Sequence, residues 1–401
     1  MSELRRDVPS LSTGPNRTLA EYLAKNSPTF VRLEAVRKKV VAPTTCINFG
    51  HLLIPFQGWD DPEGDRYWQN RREQSDTATE DAAQAFYDMT KQIAEEMQAK
   101  TSALTPGDLG IQPFQALDLC MAPGGFTWGA LEYNPDAIAY GITLPPEIGG
   151  YKNWFTLSDE YIRYMDITML ASEFGIGTIP TSHPDHSLFL AERPFVDQRF
   201  QLIFCGGAVL RSHERSEHRR EFERTRLTTS QLILAMQRII PGGTMAVLLR
   251  RPDSWDVVHL LHQFNSFANI QLFKPYKKHA VRSTFYLVAK NVQPETESAN
   301  AALEEWKKSW SRATFGGDEG TGEKQPEMDV ETVKKVLGEF GPKLIELATP
   351  VWKIQAGALE RQDFAKTRNS DPLQKHYLGR NIDRDLWAIL RGHRPQHALT
   401  K

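Results

Sequence analysis

The sequence predicts an α/β protein with a Rossmann-like fold, in which a mostly parallel sheet of seven strands has one antiparallel edge. Between about residues 114 and 291, short apolar runs alternate with helical segments, as in a parallel sheet covered by helices. The last two runs are too close together for a crossover helix, so they should pair antiparallel. The expected strands are residues 114–120, 137–142, 161–165, 200–205, 244–249, 269–273 and 284–289.

Helices are expected between these strands and as extensions on both sides of the sheet. Apolar residues at helical spacing predict one helix over about residues 18–40. Thr77 with Glu80 has the pattern of a capping box that begins another helix. Within the sheet region, we expect helices over residues 125–133 and 225–239.

Changes in composition divide the chain into four segments. We expect a helical and irregular N-terminal extension, an α/β domain, a flexible linker rich in glycine and acidic residues, and a C-terminal appendage of three helices. The predicted bounds are residues 1–76, 77–314, 315–327 and 328–401. The second segment is therefore the one in which we look for chemistry.

The composition is that of an ordinary soluble globular protein, with 40% hydrophobic and 24% charged residues. The formal net charge of −2 gives RNA binding no support, because proteins that bind a phosphate backbone usually carry a positive excess. Neither a signal peptide nor an apolar run of 18 residues is present, and the three cysteines lack the spacing of a metal site. We therefore expect an intracellular protein, cytoplasmic or nuclear, with no membrane partner and no metal.

A strand followed by a glycine turn spans residues 117–127, with the sequence LDLCMAPGGFT. Glycines allow a ligand to approach the backbone closely, and a helix that begins here points its first amides at the same space. Such a turn at the carboxyl edge of a parallel sheet is typical of nucleotide and nucleoside sites. The segment therefore predicts a cofactor site formed by Asp118, Ala122, Pro123, Gly124, Gly125 and Phe126.

The same segment resembles motif I of the FtsJ-like family of S-adenosylmethionine-dependent methyltransferases, best known for 2′-O-methylation of RNA ribose. The similarity covers roughly residues 80–291, and the chain most resembles fungal FtsJ-domain proteins. The resemblance implies a methyltransferase-type sheet and S-adenosyl-L-methionine as the cofactor. It also implies further cofactor contacts from Thr143, Leu144, Asp166, Ile167 and Gly206.

Two of these positions leave alternatives open. Thr143 stands where the family commonly has an acidic residue for the ribose hydroxyls, and a threonine offers a single, weaker, uncharged contact. Asp166 follows a strand at the place of the family's adenine contact, although capping a helix N-terminus is the alternative. We favour the adenine contact for Asp166.

The family's RNA-methylating members use a Lys-Asp-Lys-Glu tetrad, in which carboxylates prepare a lysine to deprotonate or orient the ribose hydroxyl. The resemblance aligns these four positions with Asp88, Gly206, Leu248 and Thr284. Lys91 lies one helical turn from Asp88, so that the first alignment is less firmly anchored than the others. Because all four tetrad residues are replaced, the 2′-O-methylation mechanism is not expected here.

Other residues are candidates for chemistry at this sheet edge. His213 could act as a general base or could be a solvated side chain at a helix start. Arg250 and Arg251 could hold an anionic substrate or form surface ion pairs. The basic cluster Lys274, Lys277, Lys278, His279 and Arg282 could be a solvated face, and it is the best candidate for phosphate or carboxylate contact. Alternating arginines and glutamates between residues 211 and 224 predict a solvated, salt-bridged helix exterior.

Three functions remain after these comparisons of residues. The first is an enzyme that binds S-adenosylmethionine and acts on a non-RNA acceptor, with a small molecule as the favoured substrate, since an acceptor that is already nucleophilic can react largely by proximity. The second is a catalytically inactive methyltransferase-fold protein that binds RNA or a protein partner. RNA 2′-O-methylation with relocated catalytic groups ranks last.

Overall fold

The sheet has the predicted architecture. In the computed structural model, residues 14–39 and 80–362 are described, apart from positions 108, 111, 156, 159 and 211. Seven strands follow the order β3-β2-β1-β4-β5-β7-β6. The first five are parallel, and β7 pairs antiparallel with both β5 and β6. The strands are β1 Gln115–Leu119, β2 Ile138–Thr143, β3 Ile162–Tyr164, β4 Phe200–Cys205, β5 Ile239–Arg250, β6 Asn269–Phe273 and β7 Thr284–Lys290.

Eight α-helices are described around this sheet. Four of them alternate with the strands or precede the sheet, and the other four form the N-terminal and C-terminal parts. They are α1 Pro15–Asn26, α2 Pro28–Lys39, α3 Glu80–Thr101, α4 Gly125–Tyr133, α5 Glu223–Arg238, α6 Trp255–Phe267, α7 Glu297–Phe315 and α8 Val330–Glu360. None of the helices in the described residues combines the length and apolar character that a membrane span needs.

Three predicted boundaries are wrong, each for a local reason. The helix predicted over residues 18–40 is two helices, because Ser27 precedes a proline and its Oγ accepts a hydrogen bond from the amide of Phe30, which begins α2. Strand β5 begins at Ile239 rather than at 244, since a bulge absorbs the glycines before Thr244.

The third wrong boundary concerns the C-terminal helices. Two separate helices were predicted from apolar spacing, whereas α8 continues through Pro342 and Pro350. Packing of its apolar face, including the contact of Trp352 with Phe30, compensates for the hydrogen bonds that the prolines remove. The predicted third helix and the capping residue Thr77 lie outside the described residues.

The N-terminal and C-terminal helices pack into the main hydrophobic core. Helices α1, α2 and α8 share one hydrophobic cluster with α5, α6, α7 and one face of the sheet. Arg37 of α2 bonds to Asp253 at 2.8 Å and to Gln355 of α8 at 3.1 Å. Although burial raises the pKa of Asp253, the charges of Arg37 and Arg251 lower it to about 2.

The segment predicted as a flexible linker has a defined conformation in the described structure. The amide of Gly322 donates to the carbonyl of Gly316, and the carboxylate of Glu323 pairs with Arg312 of α7 at 2.9 Å. Lys324 reaches Glu221 at 2.8 Å. These contacts attach the segment to neighbouring helices, while the division into domains stays a prediction.

Helices α3 and α4 cover the opposite face of the sheet with a smaller cluster. Phe126 of α4 stacks on Phe204 of β4 and meets Tyr286 of β7 edge-on, with ring centroids 5.2 and 5.7 Å apart. Ala246 of β5 belongs to the same cluster, and Leu248 packs against it. This face therefore leads from the glycine turn on β1 across β4 and β5 to β7.

Candidate functional site

The glycine turn joins β1 to α4 at the carboxyl edge of the sheet. Gly124 has a φ of 100° in the left-handed region and forms the N-cap of α4. No side chain caps this helix, so that its first amides are available to an anionic group. The turn is held in place by the amide of Met121, which donates to the carbonyl of Ile142 at the end of β2.

Both glycines of the turn also permit close packing within the chain. A Cβ atom on Gly124 would lie 2.7 Å from the Cβ of Phe155 and 2.9 Å from the Oδ1 of Asn153. The amide of Trp154 donates to the carbonyl of Pro123 in the same contact. The segment after β2 therefore lies directly against the turn. Gly125 is equally confined, since its Cβ would fall within 2.0 Å of a side-chain oxygen of α3.

Asp118 is a buried carboxylate without a cationic partner among the described residues. Its Oδ2 accepts a hydrogen bond of 2.8 Å from Thr127 of α4. Burial raises the pKa of Asp118 to about 7, and the hydrogen bonds from Thr127 only partly oppose this effect. A ligand that carries positive charge would stabilise the ionised form of this side chain.

Asp166 follows β3 and caps a short 3₁₀ helix, as the alternative from the sequence proposed. Its Oδ1 accepts from the amide and hydroxyl of Thr168, and its Oδ2 lies 2.7 Å from the Nη2 of Arg219. Arg219 also reaches Glu223 at 3.0 Å. Although burial raises the pKa of Asp166, the charge of Arg219 lowers it below its ordinary value. The contact of Asp166 with adenine stays a prediction. Adenine would have to bind the same carboxylate oxygens that Thr168 and Arg219 already contact.

His213 lies inside this ionic cluster. Its Nε2 is 3.6 Å from the Oδ2 of Asp166, and its Nδ1 is 3.9 Å from the Oε1 of Glu223. The side chain of His213 is 8% exposed. Burial lowers the pKa of His213, which favours the neutral imidazole. The structure thus places His213 beside the predicted adenine contact, and a role as general base stays a prediction. The ligand atoms of Asp166, His213 and Glu223 lie within 4.8 Å of one another. Arg219 forms ion pairs with both carboxylates of this group.

The arginine and glutamate series is the predicted solvated exterior only in part. Its exposed members are Glu214, Glu217, Arg220, Glu221 and Arg224, and Arg220 pairs with Glu217 at 3.0 Å. Arg219 and Glu223 are buried, as is Arg226, whose Nη2 donates to the carbonyl of Thr168. Burial lowers the pKa of Arg226 to about 10. The sequence contains a signal for this arrangement, because positions 219, 223 and 226 fall on one side of a helix.

Two loops meet above this part of the sheet edge. The hydroxyl of Ser212, after β4, donates to the carbonyl of Gly149, after β2, at 2.7 Å. The amide of Glu214 donates to the carbonyl of Ile148. The loop after β4 therefore covers the region between the glycine turn and the cluster of Asp166.

The remaining predicted cofactor residues differ in their surroundings. Thr143 is buried, and its Oγ1 accepts a hydrogen bond of 3.3 Å from the amide of Ala122, so that it supports the turn. Ile167 is buried in the main core, and Leu144 is half-buried. A Cβ atom added to Gly206 would meet only the ring of Phe126 within 4 Å, in ordinary contact at 3.8 Å. Their contacts with a cofactor stay predictions.

Three of the positions that the resemblance aligns with the tetrad lie at one sheet edge. Leu248 pairs with Tyr286, and two residues further along Arg250 pairs with Thr284. Because side chains alternate along a strand, Leu248 and Thr284 share the face on which Tyr286 contacts Phe126. Gly206 follows β4 on the next strand. We call Gly206, Leu248 and Thr284 together the acceptor face. None of these three residues is a lysine or carries a carboxylate.

The fourth position lies on α3. Asp88 is exposed and accepts a hydrogen bond of 3.2 Å from Gln84. The ammonium of Lys91, one turn away, stands 4.0 Å from the ring centroid of Trp128 on α4. Neither side chain therefore contributes a hydrogen bond to the acceptor face.

Lys274 was predicted as part of a ligand-binding basic cluster, and the structure corrects this interpretation. The side chain is 4% exposed, and its Nζ donates to the backbone carbonyls of His279, Arg282 and Thr284. Burial lowers the pKa of Lys274 to about 7. Three carbonyl acceptors nevertheless require three N–H donors, which only the charged ammonium offers. Lys274 therefore fixes the loop between β6 and β7.

The residues on β1 and α4 fit the cofactor that the resemblance implies. S-adenosylmethionine carries a sulfonium, an ammonium and a carboxylate. The unpaired negative charge of Asp118 suits the cationic groups, and the uncapped amides at Gly125 and Phe126 suit the carboxylate. The chemistry of the donor set therefore matches a cofactor of mixed charge.

Comparisons with known proteins place part of the chain in a family. The model of the FtsJ-like methyltransferase family matches residues 93–292. A protein named as a ribosomal RNA methyltransferase from Plasmodium falciparum is 19% identical, with 50% of this chain and 96% of that chain covered and a TM-score of 0.33. Human methyltransferase-like protein 13, in complex with SAH, is 13% identical, with 61% and 99% covered and a TM-score of 0.33. Curated proteins give no match. Through residues 93–292 the chain belongs to the FtsJ-like methyltransferases, whose cofactor is S-adenosylmethionine.

Proposed function

We propose that this protein transfers the methyl group of S-adenosylmethionine to an acceptor other than RNA ribose, with a small molecule as the favoured substrate. The observation that carries the proposal is the acceptor face, where Gly206, Leu248 and Thr284 lie at the positions that the resemblance aligns with an aspartate, a lysine and a glutamate. Without those groups, no side chain at these positions can take a proton from a ribose hydroxyl.

The bound cofactor would supply an electrophilic methyl group. Asp118 would stabilise its positive charge, and the amides at the start of α4 would orient its carboxylate. Phe126 and Leu248 would exclude water from the acceptor and hold it in line. Because positioning alone contributes a large part of the barrier reduction for an acceptor that is already nucleophilic, such an amine or thiolate needs no tetrad.

The test begins with calorimetry on the full chain. We expect both S-adenosylmethionine and S-adenosylhomocysteine to bind. Labelled cofactor is then incubated with RNA, protein and small-molecule extracts, and we expect the label to appear in the small-molecule fraction. Label in RNA that is lost when the 2′-hydroxyl is removed from the RNA would contradict the proposal.

A variant on the acceptor face separates transfer from cofactor binding. Leu248→Trp fills the space beside Phe126 and should abolish transfer while cofactor affinity is kept. Val330→Trp, at an exposed position on α8, is the matched control and should leave both unchanged. Loss of transfer in the control would show that the effect does not come from the acceptor face.

The second candidate is an inactive methyltransferase-fold protein that binds RNA or a protein partner. Its support is the cover over the glycine turn, where Asn153 and Phe155 approach Gly124 and the loop with Ser212 bonds to Gly149. Absence of cofactor binding at millimolar concentration would favour this candidate. Filter binding of RNA across salt concentrations would then identify phosphate contacts, because these weaken steeply as salt rises.

A further inference from the structure

We infer that the methyl acceptor carries an anionic group, a carboxylate or a phosphate, and that Arg250, with Arg224 and Arg282 near it, binds this group beside the acceptor face. The inference rests on the proposed function and names the chemical class of its substrate. It concerns the edge of the sheet where β5 ends and β7 begins, away from the glycine turn.

The register of β5 and β7 fixes the position of this subsite. Arg250, the last residue of β5, pairs with Thr284, the first residue of β7. The pair lies two residues beyond Leu248 and Tyr286, on the same face and nearer to the carboxyl edge of β5. An anion bound there would therefore be part of a molecule that also contacts the acceptor face.

Like charges surround Arg250, whereas Arg224 also faces the carboxylate of Asp256. Burial raises the pKa of Asp256, and the charge of Arg224 partly opposes this effect. Arg250 and Arg224 are exposed, and within the described residues neither guanidinium has an ion pair or a side-chain hydrogen bond. Desolvation by the surrounding chain and the like charges of Arg224 and Arg282 lower the pKa of Arg250. By contrast, the next residue, Arg251, pairs with the buried Asp253 at 3.0 Å. A bound anion would offset the repulsion that Arg224 and Arg282 exert on Arg250.

Thr284 supplies a second, independent observation. Its side chain is 7% exposed, and its Oγ1 has no hydrogen-bond partner in the described part of the chain. A buried hydroxyl without a partner is costly, so such groups are rare in folded proteins. Directly beside Arg250, this hydroxyl can donate to an oxygen of an anion, whereas the glutamate of the family's tetrad would repel it.

The buried ammonium of Lys274 holds the subsite in shape. It donates to the carbonyls of Arg282 and Thr284, and it thereby fixes the backbone of two of the proposed binding residues. It also adds a positive charge below them. A site that is ordered before binding loses less entropy when the ligand arrives.

The chemistry of arginine defines the ligand class. A guanidinium offers a planar fork of N–H donors that matches the oxygens of a carboxylate or a phosphate. Exposed Arg250 and Arg224 with the buried hydroxyl of Thr284 form a short site at one sheet edge, which suits one anionic group rather than a long polyanion. We therefore expect a small anionic acceptor.

The experiment titrates the full chain with inorganic phosphate and, separately, with acetate, at constant ionic strength. Calorimetry should detect weak binding of at least one anion, and the stronger one identifies the phosphate or the carboxylate form of the acceptor. Arg250→Met should weaken this binding about tenfold or more, as the loss of hydrogen bonds to a charged group does. Thr284→Val should weaken it by a smaller factor. Arg220→Met, which removes an exposed arginine paired with Glu217, is the matched control and should leave it unchanged.

Cofactor affinity is measured in parallel, so that the two proposals can fail separately. Loss of S-adenosylmethionine binding in the wild type would contradict the proposed function, whereas unchanged cofactor binding with equal anion binding in the wild type and Arg250→Met would overturn only the subsite. Absence of binding by both anions would also overturn it. Steeply salt-dependent RNA binding that Arg250→Met weakens would show instead that the arginine contacts a polyanion.

Discussion

The two halves of the sheet's carboxyl edge differ in how their polar groups are satisfied. At the ends of β1 to β3, Asp166 is paired with Arg219, and Asp118 bonds to Thr127. At the ends of β5 and β7, the hydroxyl of Thr284 and the guanidinium of Arg250 have no such partner among the described residues. In the first half Asp166 has a cationic partner within the chain, whereas in the second half Arg250 has no anionic partner among the described residues and the hydroxyl of Thr284 is unsatisfied. The anion subsite that we propose lies in the second half.

The largest expected effect comes from exchanging one arginine in each half. Arg219→Met leaves the buried carboxylates of Asp166 and Glu223 unpaired, and we expect it to lower the free energy of unfolding by about 3 to 5 kcal/mol. Arg250→Met should change it by less than about 0.5 kcal/mol, because it removes an exposed side chain surrounded by like charges. Urea unfolding measures both. Equal losses would remove the distinction between the halves.

The next effect compares a glycine of the turn with the glycine of the acceptor face. Gly124→Ala places a Cβ 2.7 Å from Phe155 on a backbone with φ of 100°, and should cost about 2 to 4 kcal/mol. Gly206→Ala meets only the ring of Phe126 at 3.8 Å, and should be neutral or stabilise by about 0.5 kcal/mol. Thermal unfolding at one pH tests the pair. A small cost for Gly124→Ala would show that Asn153 and Phe155 do not pack on the turn.

The smallest effect concerns the pH dependence that Asp118 brings to the cofactor half. Its pKa is raised to about 7 in the fold, so the carboxyl stabilises the fold when protonated, and this contribution is lost as pH rises from about 4 to 7. Between pH 5 and pH 8, the free energy of unfolding should fall by about 2 to 3 kcal/mol more in the wild type than in Asp118→Asn.

Urea unfolding of the wild type and of Asp118→Asn at both pH values gives this difference. The contributions of the other titrating groups cancel because both proteins contain them. Parallel slopes in the two proteins would contradict the raised pKa. Bound S-adenosylmethionine should reduce the difference, because its positive charge stabilises the ionised carboxylate.

Much of the sheet could be predicted because local pattern and final structure agree there. Each strand was an apolar run bounded by turn residues, and α4 was predicted with its observed bounds of Gly125–Tyr133. Helix α8 could not be predicted as one helix, since Pro342 and Pro350 usually end helices and only packing against α1 and α2 explains its continuity.

The candidate site was predictable only as far as local sequence defines it. The glycine turn is contiguous, so its place at the end of β1 follows from the sequence. The partner of Asp166 was not predictable, because Arg219 lies 53 residues further along and belongs to a series with the charge alternation of an exposed helix. The packing of Phe155 on Gly124 likewise depends on the path of a loop.

The union of the N-terminal and C-terminal helices in one core has a consequence for synthesis. Arg32 and Glu360 pair at 2.6 Å across 328 residues of sequence. At about 5 to 20 residues per second, the ribosome needs on the order of 16 to 66 s to make the chain between them. During that time the apolar faces of α1 and α2 have no α8 to cover them. The nascent chain therefore exposes these apolar faces to water until α8 leaves the ribosome.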